Sequence, residues 1–355
     1  MQTVYVVIPN YNGVRLLAEC IHSVQSGSGY FLHIVVVDDA SDDASMRILQ
    51  QFLRDITVIQ LPENRRFAAA ANVGIEYALT HGADYIFLLN SDAQVSEGCL
   101  LQLLDFMNAN LRVAACQPLL VDKYSPEYIQ SAGVRCSFTG RGWDNLMGAR
   151  VECCPHDTEE AQKIALAPLL RTVPSPFPIV GCTGGAVFFR AEALIRTLEF
   201  EQVFDESLGM YAEDLDLAFR FHQRYAATRL PFWCIPCAMV LHSGSESTRL
   251  LGIGWKIALT EKNAVQMILR YFPAMYVGVA ICVFLGTALM MALVQTFRGQ
   301  PKIALATLQG VGRGLVDGLR MFKRKRVPFS YRRFYELVDW NRILPPKRTT
   351  EERVI

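Results

Sequence analysis

The sequence predicts an α/β protein with a mainly parallel sheet flanked by helices, followed by C-terminal membrane-associated helices. Three observations predict it. Short runs rich in Val and Ile alternate with stretches of helical spacing. Those runs are almost continuously apolar, as strands covered on both faces are. Polar clusters recur where the runs end, and open α/β sheets bind ligands beyond the carboxyl ends of their strands.

Taken in order, Val4–Ile8 reads as the first strand, with a turn at Pro9–Gly13, and Val14–Gln25 has helical spacing. Ile34–Val37 is a second buried strand, ended by Asp38-Asp39. Ala44–Leu53 reads as a helix, Ile56–Gln60 as a third strand and Phe67–Thr80 as an Ala-rich helix. Tyr85–Leu89 is a fourth strand, ended by Asn90-Ser91-Asp92; Leu100–Asn108 is helical and Val113–Gln117 extended. From Ser131 to Pro178 frequent Gly and Pro break the pattern, which predicts a long loop or insertion. Regular structure resumes over Ile179–Arg190, with a helix around Glu213–Gln223 and a strand near Trp233–Leu241.

With 355 residues the chain can bury a sizeable core. A net charge of +1 gives no reason to expect nucleic acid as a partner. A mean hydropathy of +0.20 and 51% apolar residues exceed what an ordinary soluble enzyme shows, so a membrane segment is expected. The N-terminal residues lack the basic start of a signal peptide, so the first domain is expected in the cytoplasm and the ten cysteines as thiols. Cys234 with Cys237, and Cys153-Cys154-Pro155-His156, read as buried thiols before they read as a zinc site.

Tyr271 to Phe297 contains no charged residue, a length that spans a hydrocarbon core as a helix. Ile303–Phe322 mixes Arg313, Asp317 and Arg320 with apolar residues, as an interfacial amphipathic helix does. Lys323 to Arg326 and Arg332-Arg333 suit the cytoplasmic face and anionic headgroups. Lys256, Lys262 and Arg270 precede the apolar segment, so basic residues flank it on both sides and leave crossing and re-entrant arrangements open. The expected domains are 1–250 (catalytic), 251–272 (connecting helix), 273–297 (transmembrane or re-entrant helix), 301–322 (amphipathic helix) and 323–355 (basic tail).

Three acidic groups carry candidate chemistry. Asp38-Asp39 at a strand end suits a base N–H or a ribose hydroxyl, and equally a helix cap. Asn90-Ser91-Asp92 suits a divalent cation bridging two phosphates, and equally a simple turn. Glu213, Asp214 and Asp216 crowd a helix start, where the dipole favours negative charge; one of them could be a general base. Asp216 and Arg220 have i,i+4 spacing and could pair. His242, at the end of an apolar strand, could join Asp92 on a metal.

In order, these elements resemble the family 2 glycosyltransferases with the GT-A fold. The resemblance runs through Ile8-Pro9-Asn10-Tyr11-Asn12, Val37 to Ser41, Asn64 to Gly74, Asn90-Ser91-Asp92, Gly184-Gly185-Ala186, Phe204-Asp205-Glu206 and Glu213 to Leu217, about two thirds of the chain. The Asn64–Gly74 and Glu213–Arg220 patterns look most like the rhamnosyltransferase branch, which uses dTDP-L-rhamnose in cell-surface polysaccharide assembly. The resemblance implies that Pro9, Asn10 and Asp39 hold the donor's base and ribose, with Asn72 near the nucleotide. It implies that Asp92 binds Mg²⁺ or Mn²⁺ on the diphosphate beside Asn90 and Ser91, that His242 completes that site, and that Asp214 is the catalytic base with Glu213 beside it. Arg66 stands where the family usually has Gly and could reach a phosphate; Asn90 replaces a charged ligand.

The expected reaction is inverting transfer from a nucleotide diphosphate sugar to a lipid-linked or polysaccharide acceptor at the cytoplasmic face of the cell (inner) membrane. Alternatives are a UDP- or GDP-sugar donor, or a non-catalytic membrane scaffold that keeps the fold. A nicotinamide-dependent dehydrogenase is disfavoured because no Gly-x-Gly-x-x-Gly follows the first strand.

Overall fold

The structure is a computed structural model and describes residues 2–26, 32–151, 175–197, 202–225, 231–244, 252–322, 327–340 and 342–344. The Cys153-Cys154-Pro155-His156 cluster and the basic run 323–326 lie outside the described residues.

Four parallel strands form the first half of the main sheet: β1 (Val4–Asn10), β2 (Leu32–Asp38), β3 (Ile56–Gln60) and β4 (Tyr85–Leu89), in the order β3-β2-β1-β4. In β1, Tyr5 and Val7 face one core and Val4, Val6 and Ile8 the other, so the strand is apolar throughout. The chain passes from β1 to β2 on one side and reaches β4 on the other; such a switch leaves a crevice at the strand ends. Helix α1 (Leu17–Ser26) follows β1. Helix α2 covers only Ser45–Leu49, shorter than expected, because the next amides, Gln51 and Phe52, bond three residues back and tighten the turn. Helix α3 (Arg66–Thr80) lies close on β1: a Cβ on Gly74 would stand 2.3 Å from Val7 Cγ1.

The second half of the sheet is mixed rather than parallel. After β5 (Ala93–Val95), α4 (Cys99–Ala109) and β6 (Ala115–Asp122), β11 (Ala186–Arg190) inserts between β4 and β6, antiparallel to both. β12 (Phe232–His242) then runs parallel to β6. The N-terminal end of β11 and the C-terminal ends of β1, β2, β4, β6 and β12 therefore share one edge. The segment expected as a loop carries strands instead: β7 (Ile129–Ser131) on β6, a hairpin of β8 (Val134–Ser137) and β9 (Gly142–Asp144), and β10 (Phe177–Ile179) on β12. Short α5 (Ala191–Ile195) precedes α6 (Glu213–Arg224).

The C-terminal helices are α7 (Ile253–Tyr271), α8 (Ala274–Phe297), α9 (Pro301–Phe322) and α10 (Tyr331–Leu337). α9 runs parallel to α7 along a stripe of small residues. A Cβ on Gly310 would stand 2.3 Å from Ala258 O, and one on Gly314 would stand 2.8 Å from Lys262 O. α8 buries Ala280, Phe284, Ala288 and Ala292, one residue per turn, and leaves its other faces exposed. Among the described residues it is the one helix long and apolar enough to cross a membrane, with mean hydropathy 2.5. Directly after α10, β13 (Val338–Asp339) pairs with β8, tying α10 to the hairpin.

Candidate active site

At the β1 and β2 ends the polar groups knit together. Asp38 is fully buried; its Oδ1 accepts from Asn10 Nδ2 at 2.9 Å and Ser41 Oγ at 2.7 Å. Asp39 Oδ1 and Oδ2 accept the backbone N–H groups of Arg65 and Arg66, each at 2.7 Å. These bonds fix the start of α3 to the end of β2. Burial raises the Asp39 carboxyl above its usual range, against the two N–H donors that lower it. Pro9 and Asn10 are buried at the end of β1. Asn72 exchanges bonds with the Phe204 backbone (2.9 and 2.8 Å), fastening the Phe204-Asp205-Glu206 loop to α3. Arg66 has φ +73°, and its guanidinium lies over the Trp255 ring at 5.4 Å.

At the β4 end, His242 collects the second set. Its Nε2 stands 3.1 Å from Asp92 Oδ1 and 3.2 Å from Asn90 Nδ2, and its Nδ1 stands 2.7 Å from Gln130 Oε1. An amide oxygen only accepts, so Nδ1 carries the proton and donates to Gln130. Gln130 is held in turn by donating to Asp122 Oδ2 and His242 O. Burial works to raise the Asp92 carboxyl, but His242 outweighs it and holds Asp92 below the usual range. By the same exchange His242 is lifted, against burial. Ser91 Oγ faces the Gly13 turn, where an added Cβ would stand 3.2 Å from it.

Among the described residues no cluster of three or more His, Cys, Asp or Glu side chains is placed to hold a metal. The Asp92–His242 pair does fit as a partial ligand set. Two donors about 2.1 Å from one cation at right angles are about 3 Å apart, and a nucleotide diphosphate can fill the remaining positions.

The third acidic group separates into three environments. Asp216 is fully buried and structural: it binds Arg220 Nε (2.9 Å), Arg270 Nη1 (2.7 Å) and Tyr271 Oη (2.7 Å). Glu213 is buried with Oε2 unpartnered, and burial beside Asp214 pushes its carboxyl well above the usual range. Asp214 remains partly open. Its Oδ1 accepts from Leu215 N at 2.7 Å and its Oδ2 from Gly184 N at 3.4 Å. Burial, then the charge of Asp144, raises Asp214 to about 6. The helix start has no side-chain cap; instead Tyr211 (φ +64°) and Ala212 (φ +75°) turn the chain into α6 through left-handed backbone. Asn263 of α7 holds that turn, donating to the carbonyls of Leu208 (3.2 Å), Met210 (2.9 Å) and Tyr211.

The two sets meet at Gly184-Gly185. Gly184 N donates to Asp214, while a Cβ on Gly185 would stand 3.8 Å from Asn90 Nδ2 and 3.9 Å from His242 Cε1. Phe67, next to Arg66, packs on Gly184. Thus Asn90, Asp92, Asp214 and His242 gather around Gly184-Gly185, and Asp39 is tied to them through Arg66 and Phe67, although 203 positions separate Asp39 from His242. Asp144 of β9 acts electrostatically on both Asp214 and His242. Sequence reading missed Asp144, Gln130 and Asn263: each lies outside the acidic motifs, and only the Gly-Trp-Asp-Asn stretch around Asp144 offered a polar signal.

Residues 5–157 match the glycosyl transferase family 2 model. A Bacillus subtilis (strain 168) protein named provisionally as a teichuronic acid biosynthesis glycosyltransferase, TuaG, is 34% identical over 29% of this chain and 41% of its own. An uncharacterized glycosyltransferase of Haemophilus influenzae is 30% identical over 31% of this chain and 44% of its own. The matches thus span less than half the length of these relatives. The crystal structure of GalNAc-T7 with UDP, GalNAc and Mn²⁺ superposes with TM-score 0.54 at 17% identity, covering 78% of this chain and 49% of that one. S. aureus TarS 1-349 in complex with UDP-GlcNAc superposes with TM-score 0.50 at 14% identity, covering 87% and 82%. Over residues 5–157 the chain therefore matches a glycosyl transferase family 2 domain, and its fold is GT-A-like.

Proposed function

We propose that the protein is an inverting glycosyltransferase that moves a sugar from a nucleotide diphosphate to an acceptor hydroxyl in cell-surface glycan synthesis. The observation that carries this reading is the Gly184-Gly185 step, which sets a raised carboxylate, Asp214, beside the Asn90–Asp92–His242 set. Asp214 accepts the acceptor's hydroxyl proton; the oxygen bonds the anomeric carbon as the bond to the diphosphate breaks. Burial and the charge of Asp144 raise the Asp214 carboxyl to about 6, where it can act as a base near neutral pH. Asp92 and His242, with Asn90 and Ser91 beside them, would hold Mg²⁺ or Mn²⁺. When bound, the cation supplies Lewis-acid stabilisation of the diphosphate's negative charge. Asp39, Pro9 and Asn10 shape the floor under the nucleoside.

The donor we propose is dTDP-L-rhamnose, from the resemblance of Asn64–Gly74 and Glu213–Arg220 to that branch. The acceptor we propose is a lipid-linked saccharide at the cytoplasmic face of the membrane. Met275, Leu289, Leu293 and Phe297 of α8 and Leu305 and Leu319 of α9 are exposed and apolar. α8 is uncharged, exposed on all but one face and long enough to span the hydrocarbon core, so it is the segment that enters the bilayer, crossing it or re-entering. Transfer assays on the full chain in nanodiscs, with dTDP-rhamnose and UDP- and GDP-sugars, test these points. Turnover that survives EDTA removes the metal; a UDP- or GDP-sugar used better than dTDP-rhamnose replaces the donor; no hydrolysis or transfer with any donor leaves the scaffold alternative.

A further inference from the structure

Arg66 occupies left-handed backbone at φ +73°, where a glycine would fit without strain. Its N–H is fixed on Asp39, but its side chain leaves the nucleotide floor. It crosses Gly209, where an added Cβ would stand 3.2 Å from Nη1, and lies 5.4 Å over the Trp255 ring of α7. Trp255 and Tyr211 are 6.4 Å apart between ring centroids, and Lys256 Nζ stands 5.4 Å over Tyr211. One pair of turns further along α7, Lys262 Nζ donates to Ser207 O at 3.0 Å. Its ammonium is held below the usual lysine range by burial, with Arg66 and Arg313 adding to the effect and Asp317 and Asp205 opposing it. Three elements distant in sequence, α3, α7 and α9, thus bring cations near one another, with Arg66 and Lys256 over aromatic rings. One of these rings is Tyr211, three residues before Asp214.

We propose that Arg66, Lys256 and Lys262 form a binding site for a substrate phosphate or diphosphate, seated on Tyr211 and Trp255. This deepens the glycosyltransferase reading and rests on it for the word substrate. Guanidinium and ammonium donors around one oxyanion give strong charge-assisted bonds, and the aromatic rings keep both cations oriented when the site is empty. The phosphate has two sources: the linkage of a lipid-borne acceptor or the donor's own diphosphate. The site lies where α7 begins against α9, since a Cβ on Gly254 would stand 3.6 Å from Ala306 Cβ. Exposed Leu305 and Leu308 follow on α9, so a headgroup bound here has apolar surface within reach of its tail.

The test is binding to the full-length chain in detergent, measured calorimetrically with geranylgeranyl diphosphate, geranylgeraniol and dTDP. Lys256→Ala, and Lys256→Ala with Arg66→Ala, are compared with wild type. If the acceptor supplies the phosphate, the double variant binds geranylgeranyl diphosphate at least tenfold more weakly, while geranylgeraniol and dTDP change less than twofold. If the donor supplies it, dTDP weakens tenfold and geranylgeranyl diphosphate does not. Unchanged affinity for both diphosphates, in variants that melt as wild type does, overturns the proposal. Loss of all sugar transfer with intact diphosphate binding would instead count against the glycosyltransferase reading alone.

Discussion

Asp39, Asn90 and Asp92 stand at the ends of β2 and β4, whereas Asp214 follows a turn that no strand supports. The first three inherit their places from a parallel ladder whose register runs from Val4↔Leu32 to Asn10↔Asp38 and from Val4↔Tyr85 to Val7↔Leu88. Asp214 depends on two consecutive left-handed residues, each costing about 1–3 kcal/mol, and on an amide from Asn263, 49 positions later. The Asp39 and Asn90–Asp92 end of the site is set by the sheet, whereas the Asp214 turn is also held by α7 of the C-terminal helical layer. In the function proposed above, that layer is part of the catalytic unit as well as a candidate membrane surface.

The largest effect that would sharpen this contrast is at the base itself. Asp214→Asn should lower kcat by about 10²–10⁴-fold while donor affinity, measured calorimetrically, stays within about twofold. Near-wild-type turnover would remove Asp214 from its role. The same variant has a stability signature. A carboxyl raised in the folded state favours folding at low pH and opposes it once pH rises through about 6. Asp214→Asn should therefore raise the Tm at pH 8 and leave it nearly unchanged at pH 4.

Next comes Arg270→Leu, which removes the cation shared by buried Asp205 and Asp216, at 3.0 and 2.7 Å, and leaves Asp216 with Arg220 and Tyr271. Breaking a buried pair this way costs about 3–5 kcal/mol, readable by urea denaturation. If the domain melts normally without Arg270, the helical layer does not hold the acid turn. Asn263→Leu probes the turn alone: kcat should fall about 100-fold from a small displacement of the base, with donor Kd unchanged. Equal losses in donor affinity would mean the two ends of the site share one support.

Smaller still, the acid limb of kcat/KM should fall tenfold per pH unit below about 6, reporting Asp214 in the free protein. Glu213→Gln replaces a buried carboxyl whose ionisation burial and Asp214 already oppose, and should cost less than about tenfold in kcat. A loss matching Asp214→Asn would exchange the two roles.

Much of the nucleotide half was legible because its cause is local. Apolar β-branched runs that end in acids make strands with polar tips, and β1 to β4 fall within a few residues of the expected bounds. The Asp216–Arg220 pair also follows from helical spacing alone. The antiparallel insertion of β11 was not legible, because a five-residue apolar run does not encode its direction. The strands within Ser131–Pro178 were hidden by their brevity, three or four residues each. The stripe formed by Ala306, Gly310, Gly314 and Gly318 was visible as a four-residue spacing of small side chains. Its meaning, close backbone packing on α7, needed the partner helix to be seen.

From the sequence alone came the α/β class, the acidic strand ends and the apolar length of α8, since each rests on contacts or periodicities within a few residues. Only the tertiary structure sorted Glu213, Asp214 and Asp216 into a buried, unpartnered acid, a raised and partly open carboxyl, and a buried ion pair. Burial and charge at a carboxylate depend on which distant groups surround it, and Asp144, Asn263 and Arg270 reach this turn through folding, not through sequence proximity.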